Sequence, residues 1–415
     1  MSPPLSAHHP LRPLCLALAV ALGLCVTAPA GAAGPSPSAP PAGTLVILGG
    51  AVKDDHDTLW QAIVQAAGGP GALILVLPTA SQNPERAAAL AATQLQRRGA
   101  QTELLPIAPR WPGSSAGDAR QQAQDARWVN LIGRAQGVFM TGGDQDRLMD
   151  ALRPGGGVPS PVLQAIQALL ARGGVVAGTS AGAAVMSETA IRGLDDPFDA
   201  LRRPLDTQEL GTGFGLAPQH VVTDQHFLKR GRVARLVRVL LQGDRSLGLG
   251  VEEDSAALLR GHRVQALGAR GLLLLDTTEA VVQTVAPLQV QGLRLTYVDR
   301  GDQFNLETRR MEPPAHRQRL RTGQAAGQPA FFGDILGDRI IVGAMAHAAE
   351  ADGRTALGLA WRLQQPLGFE WRISADEQTR AWGGATRDDH SIERLRLDIA
   401  PVQMAQPVYR PWVAP

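Results

Sequence analysis

Between residues 44 and 179 one unit recurs: a short apolar run, usually closed by small or turn-forming residues, then a stretch of helical length. The runs are 44–48, closed by Gly49-Gly50; 72–77, closed by Pro78-Thr79; 102–107; 137–140, closed by Thr141-Gly142-Gly143-Asp144; and the run that begins at Val175. The segments 57–67, 84–98, 126–135 and 161–172 read as helices. Strands that stay apolar without alternating are buried on both faces, and strands that alternate with helices pair in parallel. The expected architecture is therefore α/β, with a doubly wound, mostly parallel sheet. Ligands of such sheets gather at the carboxyl ends of the strands. Gly49-Gly50, Pro78-Thr79, Gly142-Gly143 and Ser180 should thus line one crevice.

The last unit ends in Gly178-Thr179-Ser180-Ala181-Gly182. This G-x-S-x-G follows an apolar strand and precedes small residues able to start a helix, the setting of a nucleophile elbow. A turn that sharp needs tiny neighbours, and it pushes the serine hydroxyl out at the strand end. The Ala181 amide would then face a developing oxyanion. In a chain with 46 Gly the pattern alone is weak; its placement is what strengthens it.

Composition narrows the chemistry. The only cysteines, Cys15 and Cys25, fall within residues 1–32, where an apolar run follows Arg12 and A-x-A-like sites occur at 28–30 and 30–32. This reads as an export leader, followed by a Pro-rich linker at 33–43. The mature chain would carry no disulfide, thiol nucleophile or cysteine-bound metal. Any nucleophile must be Ser, Thr or a carboxylate. The net charge of +2, one less without Arg12, does not point to nucleic acid or an anionic membrane.

A serine nucleophile needs a base, and the base needs an orienting acid. Seven His remain after the leader, and only His220 and His226 lie between Ser180 and the acid-rich run Glu252-Glu253-Asp254. His220 precedes the strand-like 221–223 and sits at the wrong end of a parallel layout; His226 falls just past it. The segment 247–259 reads as a strand carrying three acids, which is costly unless they are paired or at a site. The triad order would be Ser180, His226, Glu253. In a regular strand Glu252 faces the opposite side, so only one of the two glutamates can serve. Residues 187–218 read as a long irregular loop, a lid or binding loop, and 229–241 as a basic helix. A surface or core histidine and a solvated basic helix face remain the plainer readings of His226 and of the helix arginines.

Four motifs carry a resemblance: Met140-Thr141-Gly142-Gly143-Asp144-Gln145, Gly178-Thr179-Ser180-Ala181-Gly182-Ala183, Asp224-Gln225-His226-Phe227-x-x-Arg230-x-Arg232-x-x-Arg235, and Gly250-Val251-Glu252-Glu253-Asp254. In this order and spacing they resemble the cyanophycinases, serine peptidases related to dipeptidase E on a fold like that of flavodoxin and the class I glutamine amidotransferases. The resemblance covers about residues 44–310. It implies Ser180 as nucleophile, His226 as base, Glu253 as its orienter and the amides of Gly143 and Ala181 as oxyanion hole. It implies substrate contacts from Gln145, Asp224, Gln225, Arg230, Arg232 and Arg235. The one departure is Glu252, where an Asp would be expected.

The same resemblance implies the substrate. Cyanophycin is a poly-Asp backbone with Arg joined through each β-carboxylate, so every repeat shows a guanidinium and a free carboxylate. The helix arginines could grip the carboxylate, and Asp224 or acids of 187–218 could take the guanidinium. The expected protein is a secreted, extracellular or periplasmic, serine exopeptidase that releases β-Asp-Arg, needs no metal or cofactor, and binds neither nucleic acid nor, once the leader is cut, membrane. A homodimer is compatible with the sequence. A general Asp-dipeptide or isoaspartyl peptidase and a catalytically silent polymer-binding protein are the alternatives. The catalytic domain is expected at 44–310, and 311–415 as a C-terminal extension in which 339–342 looks strand-like.

Overall fold

In the computed structural model the five apolar runs are strands: β1 (Thr44–Leu48), β2 (Leu73–Leu77), β3 (Gln101–Leu104), β4 (Gly137–Met140) and β5 (Val175–Thr179). They pair in parallel in the spatial order β3-β2-β4-β5-β1. The structure describes residues 42–312, 317–321, 329–350, 355–384, 389–408 and 412; the expected leader, and the linker as far as residue 41, lie outside them.

Alternation along each strand explains why the sheet is wound on both faces. Leu45 and Ile47 of β1, Leu75 and Leu77 of β2, and Val138 and Met140 of β4 share a core with residues of the helices Ala126–Arg134, Gln145–Leu152 and Pro161–Ala171. Their neighbours Val46, Leu48, Ile74, Val76 and Phe139 face the other way, onto helices Asp57–Ala66 and Pro84–Arg97. With both faces covered, every strand position is worth burying, at about 1.5–3 kcal/mol per large aliphatic side chain. Helix starts follow the local sequence. Asn83, Asp144 and Ser160 each cap a helix by accepting an amide of its first turn, and Pro84 and Pro161 occupy first-turn positions that need no donor.

Beyond β1 the sheet continues antiparallel through Ser255–Arg260, Arg263–Gly268, Gln303–Asn305 and Arg310–Glu312. A second sheet lies outside what the repeat implied. Its main path runs Ala330–Phe332, Ala356–Ala360, Leu367–Ser374, His390–Gln403, Gln289–Val298, Leu272–Asp276, Leu247–Val251, Val221–Gln225. Along that path only the first and last pairs are parallel.

Five expectations change. The run 247–259 is two strands in different sheets, and Glu252-Glu253-Asp254 form the turn between them, with Asp254 at φ 52. The face-alternation argument for the two glutamates therefore does not apply. Residues 339–342 are not strand: Arg339 precedes a helix, Ile340–Ala349, whose Ala-rich second half favours that state. The helix after His226 starts only at Val233 and is buried on most sides rather than a solvated basic face; Arg238 is fully buried and donates to the carbonyls of Ala200, Leu201 and Val285. The 187–218 segment is ordered by a helix, Pro197–Arg202, and a strand pair, Thr189–Ile191 with Leu210–Thr212. The division expected at residue 310 falls inside the strand Arg310–Glu312. The strand His390–Gln403 pairs with Gln289–Val298, so residues before and after 310 share one sheet.

Candidate active site

Ser180 ends β5 at φ 54, ψ −111, a backbone state that costs a non-glycine residue on the order of 1–3 kcal/mol. The corner closes only because its neighbours are glycines. A Cβ at Gly178 would stand 2.6 Å from Gly182 backbone, and one at Gly182 would stand 2.6 Å from the Met140 carbonyl oxygen. The Ser180 amide donates to Leu48 at the end of β1 (3.1 Å), which fixes the corner between β1 and β4.

His226 follows the strand Val221–Gln225 directly, at φ 47. Its Nε2 lies 2.9 Å from Ser180 Oγ, and its Nδ1 lies 2.6 Å from Glu253 Oε1. With Nδ1–H donating to the Glu253 carboxylate, the lone pair sits on Nε2, where the serine hydroxyl can donate to it. Burial of the ring pushes its pKa below the ordinary histidine value; the Glu253 bond opposes this and the Arg230 charge adds to it. The imidazole is therefore neutral, and able to take a proton, at neutral pH.

The loop after β1 holds the ring in place. A Cβ at Gly50 would fall 2.3 Å from His226 Cε1, so the glycine backbone packs directly on the imidazole. Gly49 O accepts from the His226 amide (2.8 Å), and Gly50 O accepts from the Asp254 amide (2.9 Å). Asp254 Oδ1 in turn takes His56 Nδ1 (2.7 Å) and the Lys53 amide (3.1 Å). Burial raises the Asp254 pKa, but the His56 and Lys53 bonds outweigh it and hold the carboxyl below the usual range. The His56–Asp254 pair was not legible in sequence: the partners lie 198 positions apart, and His56 carried no motif.

Glu252 is buried and faces inward. Its Oε2 accepts from the amides of Leu228 and Lys229, and its Oε1 from the amide of Glu253 (2.6 Å). It ties the acid turn to the segment that follows His226. Burial raises its pKa against those three amides.

Gly142 and Gly143 stand beside the serine. A Cβ at Gly142 would lie 3.2 Å from Ser180 Cβ, and one at Gly143, at φ 144, would lie 2.1 Å from the Ala80 carbonyl oxygen. Ala181 opens the helix after Ser180, where an amide has no intrahelical acceptor. Gly142 and Ala181 thus stand on either side of Ser180, and Gly143 follows Gly142 in the chain. Gln145 begins the next helix and donates from Nε2 to Ile191 O (3.3 Å), while its neighbour Asp146 accepts from Arg192 Nε and Nη2 at 2.8 and 3.0 Å. These bonds dock the strand pair of 187–218 onto the helix beside Gly143.

The expected arginine grip is corrected. Asp224 is buried and both its oxygens are taken by Arg235, at 2.7 and 2.5 Å, so it is not open to a substrate guanidinium. Arg232 is buried too, donates to Gln225 O (2.8 Å), and burial pushes its pKa down to about 10. Both arginines also face Asp195 of the 187–218 segment. The helix geometry turns these two side chains back under the strand that carries His226, where they brace it. Only Arg230 of the three is exposed, and no carboxylate pairs with it among the described residues. Gln225 is buried and its Oε1 has no hydrogen-bond partner among the described residues.

The lowered His226 pKa has a kinetic consequence. kcat/KM should rise with pH through an acid limb that lies below the ordinary histidine value of about 6.5, because the protonated ring cannot accept from Ser180. Replacing Arg230 by Gln removes a neighbouring positive charge, so it should move that limb to higher pH. A pH–rate profile of the two proteins checks the sign.

Among the described residues no group of three or more His, Cys, Asp or Glu is placed to hold a metal ion, and no helix is long and apolar enough to cross a membrane. The sequence profile of peptidase family S51 matches residues 45–267. A cyanophycinase from Nostoc sp. is 32% identical over 284 residues, 66% of this chain and 89% of that protein. A cyanophycinase from Geminocystis herdmanii is 29% identical over 275 residues, 64% of this chain and 94% of that protein. The crystal structure of a peptidase from an acI-B1 Actinobacterium aligns with a TM-score of 0.47 at 21% identity, over 64% of this chain and 97% of that one.

Proposed function

Because the chain belongs to peptidase family S51 and is a serine-type peptidase, we propose that it hydrolyses cyanophycin to β-Asp-Arg dipeptides as an exported exopeptidase. The observation that carries the catalytic part is the unbroken path from Ser180 Oγ through a neutral His226 to Glu253, at 2.9 and 2.6 Å. The substrate part rests on the cyanophycinases above.

Ser180 Oγ attacks the scissile carbonyl carbon while its proton moves to His226 Nε2. The carbonyl oxygen becomes an oxyanion, which the amides of Gly143 and Ala181 are there to stabilise. Collapse of this intermediate breaks the C–N bond, and His226 passes its proton to the leaving amine. The acyl-enzyme remains on Ser180. Water then gives its proton to Nε2 and attacks the ester carbon; collapse of this second intermediate breaks the C–Oγ bond, Nε2 returns the proton to Ser180 Oγ, and the second product leaves. Glu253 accepts from Nδ1–H and so holds the ring with that proton turned away from the serine. Arg230 supplies a guanidinium for the free carboxylate of a repeat, and Gln225 Oε1 is an unmet acceptor of the kind a substrate guanidinium needs.

The test is to incubate the chain, with EDTA present, with cyanophycin, unmodified poly-Asp and a set of α-Asp dipeptides. Only cyanophycin should be consumed, with β-Asp-Arg as main product, because a site with buried polar contacts rejects substrates that leave them unpaired. The chelator should not alter the rate. Cleavage of the dipeptides but not the polymer would favour the dipeptidase reading. Binding of the polymer without any cleavage would favour a silent binding protein.

A further inference from the structure

A polar groove of about 390 Å³ is lined by Arg270, Arg300 and Arg339 together with Tyr297, Asp299 and Asp389. Its two carboxylates are already engaged: Asp299 with Arg317 (2.8 Å) and Asp389 with Arg300 (2.8 Å). Arg270 and Arg339 have no carboxylate within ion-pair distance among the described residues, and Arg339 Nε is buried with no hydrogen-bond partner. Two guanidinium groups left unpaired in a groove whose carboxylates are held by other arginines can take an anion of complementary shape. Arg339 also stands at φ 63 just before a helix, a left-handed backbone in which Asn or Asp would be less strained. The sequence forgoes both and places a guanidinium there.

The groove adjoins the catalytic turn. Ala269 N donates to Asp254 O and Arg270 N to Ser255 Oγ, both at 2.8 Å, so one wall begins at the turn that carries Glu253. On the other wall Asp338, next to Arg339, pairs with Lys229 (2.9 Å), three residues after His226. Arg270, Arg300 and Arg339 all lie outside the residues that match the family profile.

We propose that this groove is a second substrate-binding site, in which Arg270 and Arg339 take the free carboxylate of a repeat some way along the polymer from the bond being cut. The proposal rests on the cyanophycin reading above. Holding one repeat in the groove turns engagement of the chain end by Ser180 into an intramolecular step and raises its effective concentration, which matters most for an insoluble substrate.

The experiment uses Arg270→Gln combined with Arg339→Asn, the latter chosen because Asn tolerates the left-handed backbone. Turnover is measured on the polymer and on a short soluble oligomer of two repeats, which has one repeat on each side of the bond that is cut and none further along. The double variant should show a polymer KM raised about five- to tenfold, with kcat/KM on the oligomer within a factor of two of wild type. An unchanged polymer KM, or a parallel loss on both substrates, overturns the proposal. Sedimentation of the Ser180→Ala protein with the insoluble polymer reads the groove without turnover. Loss of co-sedimentation in the Arg270→Gln/Arg339→Asn background supports the groove and unchanged co-sedimentation overturns it, even should wild type cleave neither substrate and the cyanophycin reading fail. Free β-Asp-Arg that alters oligomer turnover in wild type but not in the double variant would identify the occupant as released product, and would overturn a polymer site.

Discussion

Ser180→Ala should lower kcat on cyanophycin by roughly 10⁴-fold or more and leave the melting temperature within a few degrees of wild type. The loss follows from what the hydroxyl does. Its Oγ contacts His226 Nε2 and forms the acyl bond; without it the base has nothing to activate but water held in an oxyanion pocket. The fold should tolerate the change because the substitution keeps Cβ at a backbone of φ 54 and removes one solvent-facing oxygen. The glycine contacts that shape the corner, Gly178 against Gly182 and Gly182 against Met140, are untouched. Turnover assays with thermal melts check both halves. A variant that keeps more than about a tenth of wild-type kcat would remove Ser180 from the role of nucleophile, and a labelled acyl adduct on the wild-type serine would support it.

The first sheet was legible because its strands are buried on both faces. Val46 and Ile47 point into different cores, yet both must be apolar. The run therefore reads as continuous, and continuous short runs between helices have few other solutions. The second sheet was not legible from the same signal. The 247–259 run is apolar on either side of Glu252-Glu253-Asp254, and periodicity cannot say that the chain leaves one sheet and enters another there. The three acids were themselves the mark of the break. A turn lets Asp254 reach His56, Glu253 reach His226 and Glu252 accept backbone amides, whereas a strand would have buried at least one of them unpaired. Residues 340–349 misled for a related reason: a helix buried on most sides is apolar all round, and its first three residues, Ile-Ile-Val, are those favoured in strands.

Within the site, residues whose role depends on local backbone could be placed from sequence, and residues whose role depends on pairing could not. Ser180 and Ala181 follow from strand–turn–helix geometry, while Gly143 came only with the family resemblance. Read as one helix, the segment turns Arg232 and Arg235 one way and Arg230 nearly the other, but the sequence did not say which side is buried. What separates them is Asp224: it points inward from its strand at a helix packed against that strand, so the two arginines within its reach are drawn under the sheet, and Arg230 is left outside. A buried pair of this kind is costly to break from either side, since removing one partner leaves the other charge unmet. These residues brace His226 from below, while Gly50 presses on it from above.

The two neighbouring glutamates should fail in different ways. Glu253→Gln should reduce kcat roughly 10³- to 10⁴-fold with little change in KM or melting temperature. An amide at this position can donate to Nδ1, which places the ring proton on Nε2 and leaves no lone pair for the Ser180 hydroxyl. It also removes the charge that stabilises the imidazolium once the proton has moved. Glu252→Gln should act on stability instead. Both its oxygens accept backbone amides, three in all, so either orientation of a glutamine side chain sets its NH₂ against an amide donor. Leaving a buried donor unmet costs on the order of 1–3 kcal/mol. The melting temperature should fall by several degrees, and the part of the activity lost should follow the loosened tie between residues 228–229 and the acid turn. Glu253→Gln with Glu252→Gln, measured by turnover and by thermal melt, forms a pair of readouts in which each variant moves one and largely spares the other. Should Glu252→Gln abolish turnover in a protein that melts like wild type while Glu253→Gln stays active, Glu252 would be the acid that orients His226.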